Sequence, residues 1–212
     1  MSGVISVLLW VLVGIFIAVF AVIGYNYVPL DKNVENDFER IVFVPGIKTD
    51  PIFLAMWKQY LGYHFPDTEV QFIEGNYHYN DMKTVVDIQE RLKVVLKDAK
   101  KTAVIVHSYG GIQIVAALQS GEIDTTSIHT IVGLAPAFDE SFRDLKESRE
   151  EIGYSNSKID VPIKTFCGFF DSTVPCISTV FSGVGKSETL FVDHSLFLVP
   201  QIFNGRRIIK EL

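Results

Sequence analysis

Val104-Ile105-Val106-His107-Ser108-Tyr109-Gly110-Gly111 is the stretch on which the reading of this chain turns. A β-branched, largely apolar run, Thr102 to Val106, passes through His107, Ser108 and Tyr109 into two glycines and then into the apolar segment ending at Leu118. Runs of that kind read as strands buried on both faces, as in a parallel sheet. The glycines let a helix start hard against the strand it follows. A serine on so sharp a turn holds its Oγ clear of the sheet. It also stands by the positive end of the next helix, where developing negative charge is favoured.

The same alternation extends in both directions. Upstream, Ile41 to Val44 is a short strand closed by Pro45-Gly46. Asp50 caps a following helix, with Pro51 in its first position and Phe53, Leu54, Trp57 and Leu61 on its apolar face. Glu69 to Ile73 is the second strand, and Asp81 to Lys97 is an amphipathic helix with Val85, Ile88 and Leu92 on its buried side. Downstream, strands are expected at Ile128 to Leu134, Ile163 to Cys167 and Leu190 to Val192. The tail from Leu196 to Leu212 reads as largely helical, with a break at Asn204-Gly205. Strands alternating with helices imply right-handed crossovers and a mostly parallel sheet flanked by helices, an α/β fold. Such sheets bind ligands beyond the carboxyl ends of their strands.

The N-terminal stretch is of a different kind. Val4 to Ile23 carries no charge, and twenty residues of helix span about 30 Å, the thickness of a bilayer's hydrocarbon core. A signal peptide would show a basic n-region, a shorter apolar core and a small-residue cleavage site. Met1-Ser2-Gly3 has no Lys or Arg, and Ala21-Val22-Ile23-Gly24 is a poor cleavage site, so a retained single-pass anchor is expected. The expected organisation is an anchor over 1–27, a polar linker over 28–38 and one domain over 39–212. Positive-inside counting of Lys32 and Arg40, which follow the apolar run, would keep the domain in the cytoplasm, but two basic residues among acids that count little in that rule leave the side of the membrane open.

At 212 residues the chain suffices for one domain with a sizeable core. Its net charge of −6, with no basic stripe, argues against nucleic acid as a partner. Cys167 falls in an expected buried strand, so Cys167 and Cys176 are read as free thiols. No His/Cys cluster has metal-ligand spacing, and neither a metal nor another cofactor is expected. Trp57 and the many phenylalanines are read as core. A charged insertion, Asp139 to Asp160, reads as a solvated surface helix placed where a short cap would lie.

The segment around Ser108 resembles the G-x-S-x-G nucleophile elbow of the α/β-hydrolase family, in its His-Ser-x-Gly-Gly form. Val106 departs from the pattern, standing where the family has its first glycine. Two further segments follow in the family's order. Gly168-Phe169-Phe170-Asp171-Ser172-Thr173-Val174-Pro175 resembles its acid loop, and Val192-Asp193-His194-Ser195 its histidine loop. The resemblance covers Arg40 to Leu212, not the anchor, and implies an α/β-hydrolase fold for the part that follows the expected single transmembrane helix. It also implies Ser108 as nucleophile, His194 as base and Asp171 as the acid that orients it. Asp193 is the competing acid, but adjacent loop residues seldom face each other. The oxyanion donors implied are the backbone N–H groups of Tyr109 and of Ile47, after the first strand.

A serine hydroxyl needs a base within hydrogen-bond reach, and histidine takes and returns a proton near neutral pH. The activity implied is hydrolysis of carboxylic esters or thioesters through an acyl-serine. The substrate implied is a small-molecule or lipid-like acyl ester. The competing reading is a membrane-tethered interaction module that retains the three residues unused, and Val106 is the feature in its favour.

Overall fold

The computed structural model describes residues 2–28, 37–73, 81–138, 145–155, 157, 159–181, 187–202 and 204–212. Most of the expected linker, and residues 139–144 of the insertion, lie outside the described residues.

Six strands form one sheet: β1 (Arg40–Val44), β2 (Glu69–Phe72), β3 (Thr102–His107), β4 (Ile128–Leu134), β5 (Ile163–Gly168) and β6 (Glu188–Leu190). Their order is β2-β1-β3-β4-β5-β6, and every pairing is parallel. Five helices join or follow the strands: α2 (Pro51–His64), α3 (Met82–Leu96), α4 (Gly110–Gln119), α5 (Lys146–Glu151) and α6 (Gly205–Ile209). Strand order reverses between β1 and β3, so the crevice at their carboxyl ends is the switch point at which such sheets bind ligands.

The central strands explain themselves by burial. Every residue of β1 and β3 is buried, which is why their apolar runs are continuous rather than alternating. Helix α4 is also buried along most of its length, from Gly110 to Leu118. Helix α2 starts as its sequence dictates: Asp50 accepts from Ile52 N at 2.9 Å, and Pro51 takes the first position, where a missing N–H costs nothing. At the opposite end of the sheet, buried Arg40 places two nitrogens on Asp98, at 2.6 and 3.0 Å, and Nε on Thr102 Oγ1 at 3.1 Å.

Two segments differ from expectation by more than one residue. β6 ends at Leu190, two residues early, because Phe191 turns outward and Val192 N bonds back to Leu190 O at 2.9 Å. Among the described residues of the tail, the helices are a short 3-10 helix, Leu196–Leu198, and α6. Pro200 and Asn204, whose φ is 56°, interrupt any longer helix.

The N-terminal helix α1 (Ser2–Asn26) is long and apolar enough to cross a membrane, and the window that qualifies is unburied. Its last residues are a different case. Asn26 is 2% exposed. Asn26 O accepts from Tyr60 Oη at 3.0 Å and from His64 Nε2 at 2.9 Å, Asn26 Oδ1 accepts from Arg206 N at 3.1 Å, and Asn26 Nδ2 donates to Gln201 O at 3.2 Å. Tyr27 packs edge-on to Tyr60 and Tyr63. The end of α1 is thus built into the globular part.

Candidate active site

Ser108 follows the last residue of β3 and has φ of 52°, in the left-handed region where only glycine rests without strain. Such strain persists only where surrounding contacts enforce it. Here Ser108 N donates to Leu134 O at 3.1 Å, and Ser108 O accepts from Gly111 N at 3.1 Å and Ala137 N at 3.2 Å. Gly110 is required by space. A Cβ there would stand 2.3 Å from Val44 O and 2.9 Å from Pro45 O, so α4 could not start so close to β1. Val106, where the resemblance expects glycine, is fully buried and paired with Val44 and Gly133. Gly133 puts no side chain beside it, and the sharp turn at Ser108 is formed with valine in place.

The loop after β1 closes on this turn. A Cβ on Gly46 would stand 2.7 Å from Ser108 Cβ, so Pro45-Gly46-Ile47 lies directly against the serine. Tyr109 is the N-cap residue of α4, and its side chain is buried. Burial pushes the Tyr109 hydroxyl up to about 12, opposed by a hydrogen bond to Ser148 and the charge of Arg149. Those two residues belong to α5, the described helix of the charged insertion. Arg149 Nη2 donates to Ala137 O at 3.0 Å, while Lys146, Glu147, Glu150 and Glu151 face solvent. The insertion therefore has one face packed near the elbow and one solvated.

Asp171 and His194 come together from different strand ends. His194 Nδ1 lies 2.8 Å from Asp171 Oδ2, and the Asp171 side chain is wholly shielded from solvent. Asp171 Oδ1 accepts from Thr173 N at 2.8 Å and Val174 N at 2.7 Å. Burial alone would raise this carboxyl, but the His194 hydrogen bond, the two main-chain donors and the histidine charge outweigh it and hold it below the ordinary value. Asp193 does something else. Its Oδ1 accepts from Ser195 N at 2.8 Å and Leu196 N at 3.0 Å, which caps its own turn. Ser108 and His194 are linked through the residue before the serine, His107, whose Nε2 donates to His194 O at 3.0 Å. No hydrogen bond joins Ser108 Oγ to His194.

The free-thiol expectation is corrected. Cys167 and Cys176 form a disulfide. Cys167 is in a buried strand as expected, but the chain returns in a short 3-10 helix, Cys176–Thr179, that packs on β5 and brings the second sulfur to it. The bridge closes the loop that carries Asp171. Apart from Phe16 and Phe20 of α1, the expectation that phenylalanines are core also fails at three described positions. Phe169, Phe170 and Phe191 are 61, 63 and 76% exposed, with ring centroids 5.1 to 6.5 Å apart. They flank Asp171 and His194 in sequence and form an apolar surface beside the pair. Trp57 is buried as expected.

No family model and no curated protein matches the chain. Solved structures do. A protein from Xanthomonas campestris described as a hydrolase of the α/β superfamily superposes with a TM-score of 0.54 at 9% identity, covering 82% of this chain and 98% of its own. YbtT, a type II thioesterase of the yersiniabactin pathway, gives 0.54 at 10% identity over 86% of this chain and 94% of its own. A protein from Pectobacterium atrosepticum described as a YdeN-like hydrolase gives 0.42 at 22% identity; 62% of this chain is covered, and the chain spans 64% of that protein's length. The sheet topology, together with the likeness to the first two, establishes the α/β-hydrolase fold.

Proposed function

We propose that this protein is a membrane-anchored serine hydrolase that cleaves carboxylic ester or thioester bonds through an acyl-Ser108 intermediate. The observation that carries the reading is the Asp171–His194 hydrogen bond at the strand ends beside a serine held in a left-handed turn. Fold alone would not carry it, because one fold hosts many functions.

In this reading Ser108 Oγ attacks the acyl carbon as His194 Nε2 takes its proton. Asp171 holds the imidazole with Nδ1–H toward itself, leaving Nε2 free to act as base, and stabilises the imidazolium that forms. The oxyanion is met by the backbone N–H groups of Tyr109, at the start of α4, and Ile47, in the loop against Ser108. Removing such a donor costs about 3 kcal/mol of transition-state stabilisation. Collapse passes the proton from His194 to the leaving oxygen or sulfur. Water then repeats the cycle to release the acid. The exposed Phe169, Phe170 and Phe191 beside the pair support an apolar acyl group as the part of the substrate recognised.

The anchor is α1. Asn26 and Tyr27 complete the packing of the domain, which supports retention of the segment over its removal as a signal peptide. The disulfide supports an oxidising compartment for the domain, since such bonds are rare in the cytosol.

The test is covalent labelling of the full-length protein in detergent by a fluorophosphonate probe. Labelling that vanishes in Ser108→Ala supports the reading. A folded protein that does not label would overturn it in favour of a tethered interaction module.

A further inference from the structure

We propose that His107 is a positioning residue, a neutral imidazole that braces the His194 loop and the loop after β1 at a fixed separation around Ser108. This rests on the serine-hydrolase reading above.

His107 is 4% exposed, and its ring lies 4.7 Å from that of His194. Its Nε2 stands 3.0 Å from His194 O. A carbonyl can only accept, so Nε2 carries the hydrogen and the lone pair of the neutral ring sits on Nδ1. Nδ1 is buried with no hydrogen-bond partner and lies 3.1 Å from the position a Cβ on Gly46 would take. One side of the ring thus holds the base loop, and the other closes on the loop proposed to supply an oxyanion donor.

Other ties on the His194 loop come from its own side of the sheet: Asp171 through Nδ1, Asp193 through its own turn, and Phe170 N through Val192 O at 3.1 Å; Trp57 of α2 holds Phe197 O, three residues on, at 3.2 Å. His107 is the tie from the strand that bears the nucleophile, one residue from Ser108. It therefore sets where base stands relative to nucleophile. Neutrality is part of the design. Burial foremost, then the charge of His194, holds the imidazole down to about 3, so catalysis that charges His194 does not place two imidazolium ions side by side.

The experiment compares His107→Phe and His107→Gln with the wild type, all full-length in detergent, by steady-state hydrolysis of a chromogenic ester. Phenylalanine keeps the ring and removes the donor; glutamine carries an amide N–H to about the reach of Nε2. The expected result is a fall in kcat of about 10- to 100-fold in His107→Phe with KM within about twofold, and recovery of most of that loss in His107→Gln. ¹⁵N spectra of the labelled wild type should show His107 as the Nε2–H tautomer at neutral pH. An active wild type whose phenylalanine variant keeps full kcat, or whose two variants lose it equally, overturns the proposal. If His107→Phe does not fold, an Nδ1–H or protonated His107 in the spectra overturns it instead. A wild type that neither labels nor hydrolyses any ester overturns the hydrolase reading itself, and this proposal with it.

Discussion

Asp171→Asn is the substitution that tests the assignment of the acid most sharply, because the structure dictates how the amide must sit. Asp171 uses both oxygens, Oδ1 for the N–H groups of Thr173 and Val174 and Oδ2 for His194 Nδ1. An asparagine has to leave its oxygen toward the two main-chain donors, since the reverse orientation would set NH₂ against both. Its NH₂ then faces Nδ1 of His194, which must become an acceptor. The ring hydrogen moves to Nε2, the nitrogen that has to be free to take the serine proton. The negative charge that stabilises the imidazolium is lost as well. Together these should lower kcat by about 10³- to 10⁴-fold, which is about 4–5.5 kcal/mol of transition-state stabilisation. The two main-chain hydrogen bonds survive, so the fall in melting temperature at neutral pH should be limited to what the ionised carboxylate contributes. Asp193→Asn is the control. Its amide oxygen can accept from Ser195 N and Leu196 N as the carboxylate does, and kcat should change less than about threefold. The assay is ester hydrolysis normalised to fluorophosphonate-titrated sites. An Asp171→Asn enzyme keeping more than a tenth of wild-type kcat, or an equal loss in Asp193→Asn, would refute the reasoning.

Three further outcomes follow from the same contacts. Because the folded state holds the Asp171 carboxyl below its ordinary 3.8, its contribution to stability is fully present above that pH and is lost as pH falls through the lower folded value. Denaturant midpoints measured from pH 6 down to pH 2 should therefore drop less in Asp171→Asn than in wild type below about pH 4, and parallel acid slopes would contradict this. Cys176→Ser opens a bridge spanning nine positions, which on loop-closure entropy costs about 2.5–3 kcal/mol; urea midpoints should register it, and maleimide labelling of the unreduced wild type should find no thiol. Asn26→Ala strips the side-chain partners of Arg206 N and Gln201 O, leaves the main-chain bonds to Tyr60 and His64, and should cost about 1–3 kcal/mol. An unchanged melting temperature would mean that α1 does not dock through Asn26.

What could be read from the sequence, and what could not, divides along physical lines. β3 was legible because burial on both faces demands an unbroken apolar run, and the turn after it because a serine followed by two glycines has few other uses there. Asp171 could be preferred to Asp193 from chain geometry, since a residue next to His194 cannot easily turn back on it, and the structure pairs Asp171 with His194. β6 was misplaced because Phe191 looks like a strand residue and in fact belongs to an exposed ring cluster. Burial cannot be told from residue type alone when apolar side chains gather on a surface. The disulfide was hidden because pairing depends on where the chain returns after β5. His107 was visible as a letter in the motif, yet its hydrogen bond to a main-chain carbonyl 87 positions away leaves no pattern in the sequence.

The relation of the proposed anchor to the candidate site is the point at which composition says least and packing says most. An apolar run of this length marks α1 as a candidate span whatever it is attached to. Attachment is decided by Asn26, a polar residue at the end of that run with all its groups satisfied by the domain. Its partners Tyr60 and His64 stand in the last turns of α2. That helix begins just past the carboxyl end of β1 and runs back along the sheet, so its last turns lie toward the strands' amino ends. Ser108, Asp171 and His194 all lie beyond the carboxyl ends. With α1 as the proposed anchor, the domain would be held by one end of its sheet and carry its candidate site at the other. A tether joined by a slack linker would leave the site's distance from the bilayer undetermined, whereas a docked helix end fixes it. An acyl ester would then reach Ser108 at the end of the domain away from its point of attachment, and the exposed rings of Phe169, Phe170 and Phe191 lie at that same end.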